Sequence, residues 1–460
     1  MSLFASLANA RSGLSATAIR SQVASANIAN VSTPGYVRRD ANLSQSGQSG
    51  VTISNIERVQ DELLVQSRRD ALSQSSGSGV IETALDRALT AFGEPGSTTG
   101  IFGTLTQFEA DLQTLRATPE SAAAQSITVD SLKEMTGALT RAAQDLQNER
   151  TTADAQLATD IEQVNEFAED LFEINGFIKK TQAAGGDTAP LLDQRDTIID
   201  EISTRLAVHV DYSFDGSVQV RTTTGLSLVG PTVNRIEFEP AFRIGSQDTT
   251  TTNGGRLSIP TISGHPIAPG SGPHAVNEGR IAGYIELRDS LLPEQAAALD
   301  DFAYDLADAF TSIGEPILLD NGNPIDPLNK TGISERLVVN ALLDPARGGE
   351  PRRLRDGLAS TGPGALANDV LLTQMTETLA PFADQLGDVI SDASAAVFRA
   401  QRIHSGNVAR EITLTEATSQ LSGVDLDFEL QTLLAIEQAY AANAQVIQTV
   451  SDMFDILARL

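Results

Sequence analysis

Apolar and polar positions along this chain follow helical periods over most of its length, and two of the most regular stripes lie at its ends. Near the start, Leu3, Leu7, Ala10, Leu14, Thr17, Ser21, Ala24, Ile28 and Val31 advance by alternating fours and threes, the spacing that keeps one stripe of a helix against a partner. Near the finish, Leu433, Ile436, Tyr440, Asn443, Ile447, Val450, Phe454 and Leu457 advance by alternating threes and fours. The first stripe is built mostly of small or medium side chains, and the second supplies the bulky ones. The pattern therefore predicts two terminal helices that pair, with Asn443 as the polar position that fixes register at some cost in stability. Acids flank the second stripe (Asp425, Asp427, Glu429, Glu437, Asp452, Asp455), whereas the first carries Arg11 and Arg20, so the charges are complementary.

The first helix is expected to stop near Asn30 to Ser32, because Thr33 precedes Pro34, which has no N–H to donate, and Gly35 permits a turn at Tyr36. Residues 37–50 are polar and read as a linker, and Val51 to Ile56 alternates like a short strand. Helical patterning resumes at Asp61 and runs to about Val208, with expected breaks at Ser73–Gly79 (SQSSGSG) and Gly93–Gly100 (GEPGSTTG). Within it, Leu157, Ile161, Val164, Ala168, Leu171, Ile174 and Ile178 hold one stripe, and a further helix is expected from about Pro190 to Ala207. From Asp211 to Gly279 the pattern alternates and Gly, Pro and Thr recur, which predicts a small β insert. Helix returns at about 283–313, a loop-rich segment at 314–364 contains a candidate hairpin (PILLD with RLVVNALL), and a last bundle helix is expected over 365–421 with a break at Pro381. Ser422 to Asp425 (SGVD) reads as a capping box that starts the terminal helix.

The predicted fold is mainly α with a smaller β insert, elongated and nested. Residues 1–56 form the N-terminal axial helix and linker, 57–210 and 280–421 a helical bundle in two parts, 211–279 the inserted β domain, and 422–460 the C-terminal axial helix. The chain has 460 residues, too many for one compact core. Its formal net charge of −28 argues against nucleic acid or an anionic membrane as partner. Cysteine is absent, which excludes disulfides and thiolate metal sites, and His209, His265, His274 and His404 show no ligand spacing. No secretory signal pattern and no long apolar run is seen, so no membrane insertion is expected.

The motifs NIANVSTPGY (Asn27 to Tyr36) and SGVDLDFELQTLLAIEQAYAANAQVIQTVSDMFDILARL (Ser422 to Leu460) resemble the paired terminal motifs of the axial proteins of the bacterial flagellum, the rod, hook and hook-associated proteins. Two interior stretches, LLDQRDTIIDEISTRLAVHVDYSFDGSVQV (Leu191 to Val220) and GRIAGYIELRDSLLPEQAAALDDFAYDLADAF (Gly279 to Phe310), resemble the family of the first hook-associated protein, FlgK, which joins hook to filament. The resemblance implies a structural, non-enzymatic subunit, extracellular and part of the flagellum, exported by the flagellar type III route without a cleaved signal. It implies as partners copies of itself in a ring, the hook protein, a junction protein of the hook-associated 3 type, and a cytoplasmic export chaperone at the C-terminal helix. A hook or distal rod protein shares the terminal motifs and stands as the alternative, with an exported flagellum-associated hydrolase as a more distant one.

Candidate chemistry is sparse. Asp425, Asp427 and Glu429 read as helix-start acids favoured by the backbone dipole, Asp320 to Asp326 (DNGNPID) as a turn and not a calcium loop, and Arg38-Arg39 as a solvated pair beside Asp40. No catalytic, cofactor or metal residues are assigned. The residues expected to form an assembly interface are Leu3, Leu7, Leu14, Ile28, Val31 and Tyr36, with Leu433, Ile436, Tyr440, Asn443, Ile447, Val450, Phe454 and Leu457. A seam so rich in Ala, Ser and Thr gains only about 0.8 kcal/mol per buried methylene, against roughly 1–2 kcal/mol of backbone entropy per ordered residue. Residues 1 to about 36 and about 425 to 460 are therefore expected to be mobile in the free subunit and to order when subunits stack.

Overall fold

The computed structural model describes residues 3–45, 50–93, 100–251 and 254–459. The chain is mainly helical with four small antiparallel sheets among these residues. Its spine is α4 (Ala122–Ala183), a single helix of 62 residues. The buried stripe of α4 serves two successive cores. Val129 to Ala153 packs with the end of α2 (Glu62–Phe92), α3 (Ile101–Ala117), α7 (Leu292–Ser312), α10 (Val370–Leu379) and the first half of α11 (Phe382–Ser422). Leu157 to Ile178 packs with α5 (Ala189–Arg205), α6 (Arg280–Glu286) and the β segment.

Where one core gives way to the other the interior turns polar. Arg288, fully buried, donates to Asp154 at 2.6 Å, to Asp289 at 2.8 Å and to the Ser258 carbonyl at 3.0 Å. Arg150 in turn donates to the Arg288 carbonyl at 3.0 Å. A π-helical turn at Leu287–Leu291 joins α6 to α7, and at its start Ile285 faces the second core and Leu287 the first.

The β segment is narrower than the alternating sequence suggests, and it has no core separate from the helices. Strands β3 (Val208–Tyr212), β4 (Val218–Thr222) and β5 (Ser227–Val229) form one meander, and β6 (Ile236–Glu237), β7 (Thr261–Ile262) and β8 (His265–Pro266) another. Their buried faces, including Val210, Val220, Leu228 and Ile262, lie on α4 and α5. RIEFE contributes a strand of only two residues. Further on, β9 (Leu318–Asp320) pairs with β10 (Leu337–Val339), and the Asp320-Asn-Gly-Asn sequence is a tight turn with Asn321 and Gly322 at positive φ. Two short helices, α8 (Ile333–Arg336) and α9 (Arg353–Asp356), complete this region.

Several sequence expectations are corrected. The SQSSGSG stretch does not interrupt helix, because α2 runs through it. Its small residues serve a close crossing instead: the Gly279 N–H donates to the Ser73 carbonyl at 3.1 Å, and a methyl group at Gly77 would lie 2.8 Å from the Gly279 carbonyl oxygen. On another side of α2 the same serines meet α11, which runs antiparallel, with Ser75 bonded to Glu411 and Ser78 to His404. The interruption at 93–100 falls partly on residues 94–99, outside those described; helix stops at Phe92 and resumes at Ile101. The polar linker contains a strand, β1 (Arg39–Gln45), paired with β2 (Val51–Arg58), and residues 46–49 between them lie outside the described residues. The break expected at Pro381 is present, between α10 and α11, but helix in this segment begins at Val370 and not at Ala365. Ser422 closes α11 by bonding back to the Thr418 carbonyl, so the cap of the terminal helix is Asp425, which accepts from the Asp427 and Phe428 N–H groups at 2.9 and 3.1 Å.

Candidate assembly interface

The terminal helices α1 (Leu3–Ala29) and α12 (Leu426–Arg459) lie against each other over their whole length, antiparallel. Three contacts set the register. Phe4 and Phe454 have ring centroids 5.1 Å apart, Gly13 lies beneath the Asn443 amide, and Asn27 bonds to Glu429. Asn443 makes its hydrogen bond within its own helix, to the Ala439 carbonyl at 2.9 Å. Its fit against α1 is steric: a methyl group at Gly13 would lie 2.7 Å from its amide nitrogen.

The buried face of α1 is rotated from the one the spacing selects. It consists of Ala10, Gly13, Ala16, Thr17, Val23, Ala24 and Asn27, whereas Leu3, Leu7, Leu14 and Ile28 are half-buried. The cause is a second partner, since the β1–β2 hairpin also packs on α1 and pulls the buried face between itself and α12. Val31 falls beyond the helix and is 40% exposed. On α12, Ile436 and Val450 are buried, and Leu433, Asn443, Ile447 and Phe454 are half-buried. Tyr440 and Leu457 remain 50% and 57% exposed, because α1 alone covers a stripe too narrow for every large side chain on that face. Leu430, Leu434, Val446, Met453 and Ile456 are exposed as well, so α12 carries more apolar surface than α1 covers.

At the junction of these helices with the rest of the chain, the sequence Thr33-Pro34-Gly35-Tyr36 makes a turn in which the Tyr36 N–H donates to the Thr33 carbonyl at 3.2 Å and Gly35 has φ of 77°. The turn sends Tyr36 back along α1, where its hydroxyl donates to the Asn27 Oδ1 at 2.8 Å. The same Asn27 oxygen accepts the Arg39 N–H at 3.1 Å, while Asn27 Nδ2 donates to the Arg39 carbonyl and to Glu429 Oε1, each at 2.9 Å. One buried carboxamide thus joins α1, the turn, the start of β1 and α12. Burial pushes the Glu429 carboxyl up and the Tyr36 hydroxyl up from their ordinary values.

A second layer of contacts ties this unit to the helical body. The Arg38 N–H donates to the Ser422 carbonyl and the Val59 N–H to the Arg38 carbonyl, both at 2.8 Å, which bonds three passages of the chain in series. Beside them α5 presents Asp193, Asp196 and Asp200, a ladder at helical spacing. Arg39 pairs with Asp193 at 3.2 Å, Arg58 with Asp193 at 2.9 Å and with Asp196 at 2.7 Å, and Arg69 of α2 with Asp200 at 2.7 Å. Burial raises the Asp193 carboxyl; it also opposes ionisation of Asp196, which Arg195, Arg58 and Arg69 nevertheless hold below the ordinary value. Arg39 is therefore a structural ion-pair partner and not a solvated charge, and Arg38 lies over the Phe428 ring at 5.8 Å.

The sequence pattern selected Tyr36 but not Asn27, Arg58 or Asp193, and it gave Arg39 as a solvated charge and Glu429 as a helix-start acid, where the structure pairs them with Asp193 and Asn27. The available signals were a polar Asn near the end of a stripe of small residues and the Asp193/Asp196/Asp200 spacing. No group of three or more metal-ligating side chains and no helix long and apolar enough to cross a membrane occurs among the described residues.

Comparison with known proteins places these features. The family model described as the flagellar hook-associated protein FlgK helical domain matches residues 86–316. A model of the C-terminal region of flagellar basal body rod FlgEFG proteins matches residues 418–460, and one of flagella basal body rod proteins matches residues 7–36. Flagellar hook-associated protein 1 of Salmonella typhimurium is 23% identical over 566 aligned residues, covering 98% of this chain and 99% of the relative. The protein of the same description from Escherichia coli is 23% identical with the same coverage, and that from Bacillus subtilis 22% identical, covering 99% of this chain and 97% of the relative. A solved structure of the flagellar hook junction protein FlgK from Burkholderia pseudomallei aligns with a TM-score of 0.44 at 20% identity, over 56% of this chain and 45% of that one.

Proposed function

This chain belongs to the family of the flagellar hook-associated protein FlgK, and from that premise we propose that it is a structural subunit at the junction between hook and filament, needed for filament assembly. The observation that carries the reading is the closure of the two terminal motifs on each other through Asn27 and Glu429, with apolar side chains of α12 left facing outward. A wall of stacked copies would cover Leu430, Leu434, Tyr440, Met453, Ile456 and Leu457, which a single chain leaves to water. On this reading residues 1–56 and 422–460 form the axial part, 57–210 and 280–421 the helical body, and 211–279 an outward insert. The residues of the paired seam, from Leu3 to Tyr36 and from Leu433 to Leu457, are its assembly contacts.

The partners follow from the same premise: copies of this chain in a ring, hook protein on the cell-proximal side, and a junction protein of the hook-associated 3 type on the distal side. A cytoplasmic chaperone holds the C-terminal helix before export, and the subunit leaves by the flagellar type III route and catalyses no reaction. The test is deletion of the gene in its host, complemented by a version lacking residues 425–460. Hooks without filaments and flagellin lost to the medium, unrescued by the truncated protein, are expected. Normal filaments in the deletion strain would overturn the junction role.

A further inference from the structure

Two long helices of the body turn faces of opposite charge to the outside. On the second half of α11, His404, Asn407 and Glu411 bond to α2. Helical spacing puts Phe398, Arg399, Arg402, Gly406, Ala409 and Arg410 on the other side, and all six are exposed. Arg399 and Arg402 form no hydrogen bond or ion pair among the described residues, and Arg410 donates to the Gln74 carboxamide oxygen at 3.0 Å. Between the arginines the surface is low, because nothing lies within 4 Å of a methyl group added at Gly406. On α4, Glu162, Glu166, Glu169, Asp170, Glu173 and Phe177 repeat by threes and fours, opposite the stripe that packs on α5 and the strands, and all six are exposed. Arg235 pairs with Glu162 and Glu169, while Glu166, Asp170 and Glu173 have no partner among the described residues. Phe398 and Phe177 are 69% and 55% exposed, so each face adds an aromatic ring to its charges.

A chain with a formal net charge of −28 repels its own copies, and a copy is approached most readily where its surface is basic. The α11 face is such a surface, and the unpaired carboxylates of α4 with Phe177 complement it in both charge and apolar content. We propose that the outward face of α11, through Phe398, Arg399, Arg402 and Arg410, docks on the acidic face of α4 in a second copy of this chain. The two faces belong to different helices, so the contact is head-to-tail and repeats around a closed ring. Both helices leave the first core in their second halves, and beyond it His404 and Glu411 share a cleft with Gln156 and Thr204, so α4 and α11 run in the same sense. Rotation about a ring axis that follows these helices keeps them parallel. In that direction Arg399 to Arg410 and Glu162 to Glu173 each cover eleven residue steps, about 16 Å of helix. Each ion pair is weak in water and screened by salt, and a ring repeats it at every contact. The contact rests on the proposed ring of copies and deepens it, since the helical body makes it and not the terminal seam.

The chain has no cysteine of its own, so introduced thiols report alone. Gly406→Cys and Glu166→Cys are placed in one full-length chain and expressed in the deletion strain, and isolated flagella are treated with a short bifunctional maleimide. A ladder of covalent multimers of this chain is expected, and neither single variant should form it. Adding Arg399→Glu and Arg402→Glu should remove the ladder, and adding Asp170→Arg and Glu173→Arg to that chain should restore it. The double-cysteine chain present in the flagella without a ladder overturns the contact and leaves the junction role standing. A ladder that survives Arg399→Glu with Arg402→Glu overturns the contact, as does crosslinking that stops at dimers or failure of the compensating reversals to restore it. Absence of the parent chain from isolated flagella overturns the junction role and the contact together.

Discussion

Asn27 and Glu429, 402 residues apart in the chain, meet side chain to side chain at 2.9 Å, and both are almost fully buried. Asn27 spends all of its hydrogen-bonding capacity on three segments: the Tyr36 hydroxyl, both backbone groups of Arg39, and Glu429. The ends of the protein are joined by a contact that can be broken with a single substitution.

Asn27→Ala removes the acceptor of the Arg39 N–H and the donor to the Glu429 carboxylate at once. Each group stranded in the interior costs about 1–3 kcal/mol, so the closure of α12 on α1 is expected to fail before the helical body is affected. Proteolysis of the variant should release fragments from both ends while residues 100–400 stay intact. Equal resistance of both proteins at their ends would show that helix packing alone holds the ends together.

The buried Glu429 carboxyl gives the closure a pH dependence. Burial raises it above its ordinary value of 4.5, Asn27 and Arg38 oppose the shift, and Asp40 and Asp425 add to it. Because the folded state holds this proton more tightly than the unfolded chain, the site's contribution is full below the unfolded value and is lost as pH rises through the folded one. Glu429→Gln keeps an oxygen for Asn27 and carries no charge to bury. Urea titrations should find the variant equal to the parent near pH 4 and more stable at pH 7. A less stable variant at pH 7 would mean that the charge-assisted bond to Asn27 outweighs the cost of burying the carboxylate.

Two helical glycines should respond in opposite directions to the same replacement. At Gly176 of α4 nothing lies within 4 Å of an added methyl group, so Gly176→Ala should gain up to about 1 kcal/mol from helix propensity. At Gly77 the methyl group would meet the Gly279 backbone at 2.8 Å. Gly77→Ala is expected to lower the melting temperature despite the same propensity gain. A rise would show that the crossing of α2 and α6 is loose.

Stability is distributed unevenly between the spine and the ends. Leu132, Leu146, Leu157, Val164 and Leu171 on α4 are fully buried, whereas on α12 the buried apolar side chains among the described residues are Ile436 and Val450. Amide exchange in the isolated subunit should therefore be slow along α4 and fast in residues 3–29 and 426–459, and assembly should slow the latter. Strong protection of both ends in the monomer would remove the idea that stacking orders them.

Much of this was legible in the residues alone. The terminal stripes, the Thr-Pro-Gly turn and the helical stripe from Leu157 to Ile178 are local patterns, and each follows from the periodicity of the backbone or the restricted dihedrals of Pro and Gly. The β1 strand was not legible, since Arg39 to Gln45 is polar and is held as a strand by its pairing with β2 and its packing on α1. Nor was the continuity of α2, because a glycine that permits a turn and a glycine that permits a close crossing look the same in sequence.

The sequence by itself determined that the two ends are helices, one lined by small residues and one by bulky ones, and that a long helical body lies between them. Only the tertiary structure decided which face of α1 is buried, that Glu429 ends on Asn27, and that Arg39 and Arg58 find the Asp193 ladder. Periodicity specifies that a helix has a face, but the choice of face and of ion partner depends on which distant segments compete for it. That competition is settled only when the helices, hairpin and bundle pack together.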